Sequence, residues 1–296
     1  MTPQEFETRV VTWAQHQSGL EALIQIGSRV QAGADLDEWS DWDYHLITRN
    51  PEHYWTCDWL PEIAPCWNAH LERTDRGVVK LSAVYSGGFE ADFVPLSAWQ
   101  MKLVYWAMAR PGLRSAFPSR LLRGIYNTQI IVRPGYRVVI GGSTWEERLT
   151  ALNAAWPKNE FTNIDYQYNV TGFWRHAIWV QKKIMRGETR AALRWYQVEL
   201  TKHRWALLEE EARIAGRPVR PEARKAEKWL DARRLEQTAI ETSTDQQMLA
   251  RGLLAEMALF EEVTRSVAAS RGWSIPDTAA VAAWLRQELN RVLNQI

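Results

Sequence analysis

Leu-Glu-Ala-Leu-Ile-Gln-Ile (residues 20–26), running into Gly27-Ser28-Arg29 and separated from Asp41-Trp42-Asp43 by the polar loop Arg29 to Ser40, is the stretch whose reading decides the fold. Residues 20–26 form an apolar run of strand length that ends in a turn. Glycine at 27 lets backbone N–H groups come close to a phosphate, and the Ser28 hydroxyl adds a short donor. Trp42 to Thr48 reads as a second strand. At period two, Asp41 and Asp43 leave the same face of it, next to each other. Two carboxylates held that close repel unless a divalent cation lies between them, and Mg²⁺ with phosphate oxygens is the usual solution. Asp-x-Asp or Gly-Ser alone is common in solvated turns. The ordered combination is what singles out a site.

A third acid follows. Val78 to Tyr85 and Phe89 to Leu96 flank Ser86-Gly87-Gly88, a hairpin signal in which glycines supply the positive φ of the turn. In the second of these strands Phe89, Ala91 and Phe93 share one face, and Glu90 and Asp92 share the other. Facing water on a half-exposed sheet is the ordinary fate of such acids. With the upstream pair present, Asp92 is the natural third carboxylate and Glu90 the weaker candidate.

These residues resemble the polymerase-β-type nucleotidyltransferase superfamily and, within it, the aminoglycoside 6-adenylyltransferases. The family's Gly-Ser-Arg corresponds to Gly27-Ser28-Arg29, its Asp-aromatic-Asp to Asp41-Trp42-Asp43, and its later strand acid to Asp92 in Asp92-Phe93-Val94-Pro95-Leu96. Phe173-Trp174, then Val180, Lys182, Arg186 and Glu188, echo a pattern of the family's helical domain. The resemblance covers about residues 20–100 and 160–205. It implies that Asp41, Asp43 and Asp92 hold Mg²⁺, with Asp92 either a metal ligand or the base. It implies that Gly27, Ser28, Arg29 and Lys182 bind ATP or another NTP, and that Glu90, Asp165 and Trp174 face the acceptor. One departure stands out: Gly172 occupies the place of a glutamate before Phe-Trp. Asp165, two helical turns earlier on the same face, is a partial replacement, and a glutamate restored at 172 is expected to improve binding of a streptomycin-like cation.

The 296 residues, 46% of them hydrophobic, suit two domains with real cores. No run has transmembrane length and no signal peptide opens the chain, so a cytoplasmic protein with no membrane partner is expected. Cys57 and Cys66, the only cysteines, argue against a disulfide framework or a zinc site. The near-neutral total hides an asymmetry. Residues 1–100 carry 6 Lys and Arg against 15 Asp and Glu, and the remainder carries 30 against 20. An acidic first third suits a metal and a cationic acceptor, and a basic remainder suits a triphosphate. Seventeen tryptophans invite thoughts of stacking, but most are expected to be core.

Phe6, Val10, Trp13 and Ala14 mark a first amphipathic helix, Met101 to Ala109 a second that Arg110-Pro111-Gly112 breaks, and Tyr136 to Ile140 a further strand. Ser143-Thr144 offers helix-cap chemistry. Beyond it the pattern is helical, broken at Pro157, Gly187, residues 215–218 and residues 272–276. The basic stretch 213–234 (Arg224-Lys225, Lys228, Arg233-Arg234) is interleaved with Glu222, Glu227, Asp231 and Glu236. It reads as a solvated helix face with i,i+4 pairs, which disfavours a nucleic-acid partner. The expected fold is α/β (α+β): a small mixed-sheet nucleotidyltransferase domain over residues 1–142, then an all-α domain over 143–296, with a cleft between them. The expected activity is Mg²⁺-dependent transfer of AMP or another NMP from an NTP to a hydroxyl of a small, aminoglycoside-like acceptor. Nucleotidylation of a protein or RNA, and a non-catalytic nucleotide- or partner-binding relic, stay open beside it.

Overall fold

Thr2 starts the first helix: its hydroxyl accepts from the Glu5 N–H while the Glu5 carboxylate reaches back to the Thr2 N–H, with Pro3 in the first turn. The helix, α1 (Pro3–Gln15), buries Phe6, Val10, Trp13 and Ala14. Among the described residues six strands follow: β1 (Leu20–Ile26), β2 (Trp42–Thr48), β3 (Cys66–Arg73), β4 (Val79–Tyr85), β5 (Phe89–Ser97) and β6 (Arg137–Ile140). Between β5 and β6 lie α2 (Ala98–Met108) and α3 (Ser119–Val132), and α4 (Gly142–Ala155) follows β6. This computed structural model describes residues 1–31, 39–73, 77–155 and 160–294. The middle of the polar loop, residues 32–38, and the break expected at Pro157 lie outside the described residues.

The strands form one sheet in the order β3-β4-β5-β2-β1-β6. Among the described residues only β2 and β5 pair in parallel; the other neighbours are antiparallel, so the sheet is mixed. Alternation gives it two faces. Leu23, Trp42, Tyr44, Leu46, Leu81, Tyr85 and Phe93 pack on one side with Phe6 and Trp13 of α1. Ala22, Ile24, Ile26 and Ile47 pack on the other with Met101, Val104, Ile125, Trp145 and Leu149 of α2 to α4.

The chain divides into two compact units, Met1–Asn159 and Glu160–Ile296. α4 therefore stays with the sheet, where Trp145 and Leu149 are buried, whereas the sequence reading set the boundary after residue 142. The second unit is helical throughout: α5 (Asn163–Met185), α6 (Thr189–Trp195), a wide turn over Tyr196–Leu200, α7 (Thr201–Ile214), α8 (Ala226–Trp229), α9 (Ala232–Thr238), α10 (Gln246–Arg271) and α11 (Ala279–Leu293). α5 and α10 are its axis, with the rings of Phe173 and Phe260 stacked at 3.7 Å. Among the described residues no helix is long and apolar enough to cross a membrane, and both cysteines are free.

The basic stretch departs from expectation. Residues 213–234 do not form one solvated helix face. α7 ends at Ile214, Glu222, Ala223 and Lys225 adopt positive φ, and Arg234 is buried, with its guanidinium 2.7 Å from Glu211 and 2.8 Å from Glu262. The reason is a turn that packs α9 back onto α7 and α10 instead of extending α7. The bonds are interhelical ones that sequence spacing cannot show.

Candidate metal and phosphate site

The parallel pairing of β2 with β5 sets Asp43 directly beside Asp92, and the antiparallel pairing of β1 with β2 sets Ile26 beside Asp43. The end of β1, the start of β2 and the middle of β5 therefore meet at one place on the sheet. Asp41, Asp43 and Asp92 are half-buried there, and one carboxylate oxygen from each lies within 4.8 Å of the others. An Mg²⁺ ion with oxygen ligands at about 2.1 Å holds them about 3–4 Å apart. Closing the cluster around such an ion takes changes of about 1–2 Å in the carboxylate separations. The donor set is all oxygen, which suits a hard divalent cation.

Gly27 follows β1 with φ 77° and ψ −161°, a conformation that favours glycine. A β-carbon there would lie 2.0 Å from Asp43 Oδ2, so the bare backbone is what lets this acid sit against the turn. The Ser28 hydroxyl is buried and has no hydrogen-bond partner among the described residues. A buried donor at the turn that meets Asp43 fits a phosphate oxygen. Arg29 meets the backbone at the start of the second strand. Its Nε donates to the carbonyls of Ser40 and Asp41 at 3.1 Å each, and its guanidinium lies 3.4 Å from the centre of the buried Trp42 ring. It braces the backbone that delivers Asp41 and Asp43.

Two neighbours of the acids escaped the sequence reading. Lys80 on β4 reaches Asp92 Oδ2 at 2.6 Å and Glu72 on β3 at 3.4 Å. Burial pulls the Lys80 pKa down, but the two carboxylates outweigh it and hold the ammonium above its ordinary value. The hairpin register, with Ser82 opposite Asp92, was the signal that would have pointed to Lys80; Glu72 stands on a strand the sequence did not reveal. His45, two residues after Asp43, is buried, and burial pushes its pKa down to about 4. Glu90 is exposed, two residues before Asp92 on the same strand.

The other expected site residues belong to the helical unit. Lys182 is exposed on α5, with no ion-pair partner among the described residues. Trp174 is buried, edge-on to Phe173 at 5.3 Å, and also borders a shallow cavity of about 450 Å³ with Thr264, Arg265 and Arg286. Asp165 closes a capping box on α5, accepting from Thr162 N at 2.9 Å and Thr162 Oγ1 at 2.6 Å. Gly172 is not an empty place for a glutamate. A β-carbon there would meet His203 Cε1 at 2.6 Å, so the imidazole fills the space that the expected restoration needs. One proton placement satisfies the surrounding contacts: His203 Nδ1 donates to Asn169 Oδ1 (2.9 Å), and His176 Nδ1 donates to His203 Nε2 (3.1 Å) and the Glu199 carbonyl (3.2 Å). The glycine is there for helix approach.

No protein-family model matches the chain, and no curated protein matches it. Two solved structures are similar to it over nearly the whole length. One is an aminoglycoside 6-adenyltransferase from Bacillus subtilis, at 12% identity and a TM-score of 0.38, covering 99% of each chain. The other is a nucleotidyltransferase-like protein from Exiguobacterium sibiricum 255-15, at 13% identity and a TM-score of 0.34, covering 98% of this chain and 88% of that one.

Proposed function

We propose that this chain is a nucleotidyltransferase that moves AMP or another NMP from an NTP to a hydroxyl of a small, cationic acceptor and releases pyrophosphate. The observation that supports it is the gathering of the Asp41, Asp43 and Asp92 oxygens beside the Gly27-Ser28 turn. A divalent cation bound by these acids would neutralise phosphate charge and orient the in-line displacement. The chain's own residues have distinct tasks. Asp41, Asp43 and Asp92 are the ligands. Gly27 keeps the turn bare enough for Asp43 and a phosphate to share it, and the Ser28 hydroxyl donates to a phosphate oxygen. Arg29 fixes the carbonyls of residues 40 and 41 and so the direction in which the acids point. Lys182 is a proposed nucleotide contact, supported by its exposed ammonium and by the sequence resemblance.

The acceptor class rests on charge. The first hundred residues hold 15 acids against 6 bases, and Glu90 stands exposed two residues from Asp92. An exposed acid two residues from the cluster attracts a cationic group of the acceptor. The test is a screen with α-labelled ATP, GTP and CTP plus Mg²⁺ against aminoglycosides and other hydroxylated amines, following pyrophosphate release and the fate of the label. Label on a small amine bears the reading out. Label on protein or RNA replaces the acceptor, and no transfer from any NTP leaves a binding relic.

A further inference from the structure

Glu72, Lys80 and Asp92 stand on three neighbouring strands with the lysine in the middle. Lys80 is directly opposite Glu72 in the β3–β4 register and diagonal to Asp92, which faces Ser82. Its ammonium is 2.6 Å from Asp92 Oδ2 and 3.4 Å from Glu72 Oε1. Nothing in the proposed reaction uses this lysine, yet it grips one of the three acids on which that reaction depends.

We propose that Lys80 is a built-in counter-cation, holding Asp92 while the acid cluster is empty of metal and passing to Glu72 when a divalent cation takes Asp92. This rests on the reading of Asp41, Asp43 and Asp92 as a metal site. Three carboxylates gathered without metal repel one another, and an ammonium on the third relieves that repulsion. A divalent cation and an ammonium crowding one carboxylate repel in turn, so the two occupancies compete. Glu72 gives the displaced charge somewhere to go. The ammonium is 3.4 Å from it already, so a shift of about 0.6 Å makes an ordinary charge-assisted bond of about 2.8 Å. The lysine stem has the rotatable bonds for such a shift, and the side chain is 28% exposed.

Competition and parking make opposite predictions for the two partners. Mn²⁺ is titrated calorimetrically into the full chain without nucleotide, for the wild type, Lys80→Met, Glu72→Gln and the double variant, with circular dichroism to verify folding. Lys80→Met is expected to bind Mn²⁺ about tenfold more tightly, because a competing state is removed. Glu72→Gln is expected to bind several-fold more weakly, because Lys80 then stays on Asp92. The double variant should match Lys80→Met, since Glu72 acts through Lys80. Should Lys80→Met fail to fold, the weakening in Glu72→Gln still reads the direction. A folded Lys80→Met that binds no more tightly than wild type, or a Glu72→Gln effect that persists undiminished without Lys80, overturns the proposal. Absence of Mn²⁺ binding in every form overturns the metal-site reading beneath it.

Discussion

Gly27 and Asp43 are packed so closely that a β-carbon on the glycine would lie 2.0 Å from the carboxylate oxygen and 2.9 Å from its carbon. The turn glycine and this acid are thus one unit. The smallest substitution, Gly27→Ala, must displace Asp43 and also hold a side chain at φ 77°. It is expected to cost about 1–3 kcal/mol of stability and to weaken Mn²⁺ binding in step. Urea denaturation and calorimetric titration check the two effects. Unchanged metal affinity in Gly27→Ala would mean that Asp43 is not a ligand.

The first unit was legible in the sequence where strands are continuous apolar runs or alternate regularly. Leu20–Ile26 and Trp42–Thr48 are runs buried on both faces, the hairpin around Gly87-Gly88 alternates, and Asp41, Asp43 and Asp92 come together from them as the period of two requires. β3 was not legible because Cys66–Arg73 is an edge strand with little burial, so it has no apolar alternation to read. α3 hid behind Gly124 and Asn127, both poor helix formers, and is held by Ile125 and Val132 in the core. The same holds at the site. Residues adjacent in sequence pattern were found, whereas Lys80 and Glu72 depend on strand register and the neighbourhood of Gly172 depends on helix packing. Family pattern suggested a missing acid at 172; only the fold shows that an imidazole takes the space.

That space yields a prediction against the sequence expectation. Gly172→Glu should not add an acceptor contact. It should push His203 off Asn169 and His176, at a cost of about 1–3 kcal/mol typical of overpacking. Gly172→Ala should cost nearly as much, because the clash begins at the β-carbon. Urea denaturation of the two variants measures this, and a Gly172→Glu protein as stable as wild type would contradict it.

His203 also makes the helical unit sensitive to acid. Burial first, then the charges of His176 and Lys202, pushes its pKa from 6.5 down to about 4, with only Glu199 opposing. Asn169 and Tyr168 on α5 are the other polar groups against it. The unfolded chain takes up a proton near pH 6.5 that the folded chain refuses until about pH 4. The stabilisation is complete above pH 6.5 and is lost as pH falls toward 4, by up to about 1.4 kcal/mol per pH unit. Denaturation of wild type and His203→Gln at pH 7, 6 and 5 isolates this slope as the difference between them. Parallel pH dependence in the two proteins would contradict the assignment.

The most direct measurement compares wild type with Asp41→Asn and Asp43→Asn for Mg²⁺-dependent release of pyrophosphate from α-labelled NTP in the presence of the acceptor panel. Asparagine keeps the shape of each side chain and removes the charge that holds the metal, so folding should persist, verified by thermal melts. The expected result is transfer by wild type that needs Mg²⁺ and falls by a factor on the order of 10³ or more in either variant. Transfer by a folded Asp43→Asn protein at the wild-type rate, or transfer by wild type that is indifferent to Mg²⁺, would contradict the assignment of these acids as the centre of the chemistry.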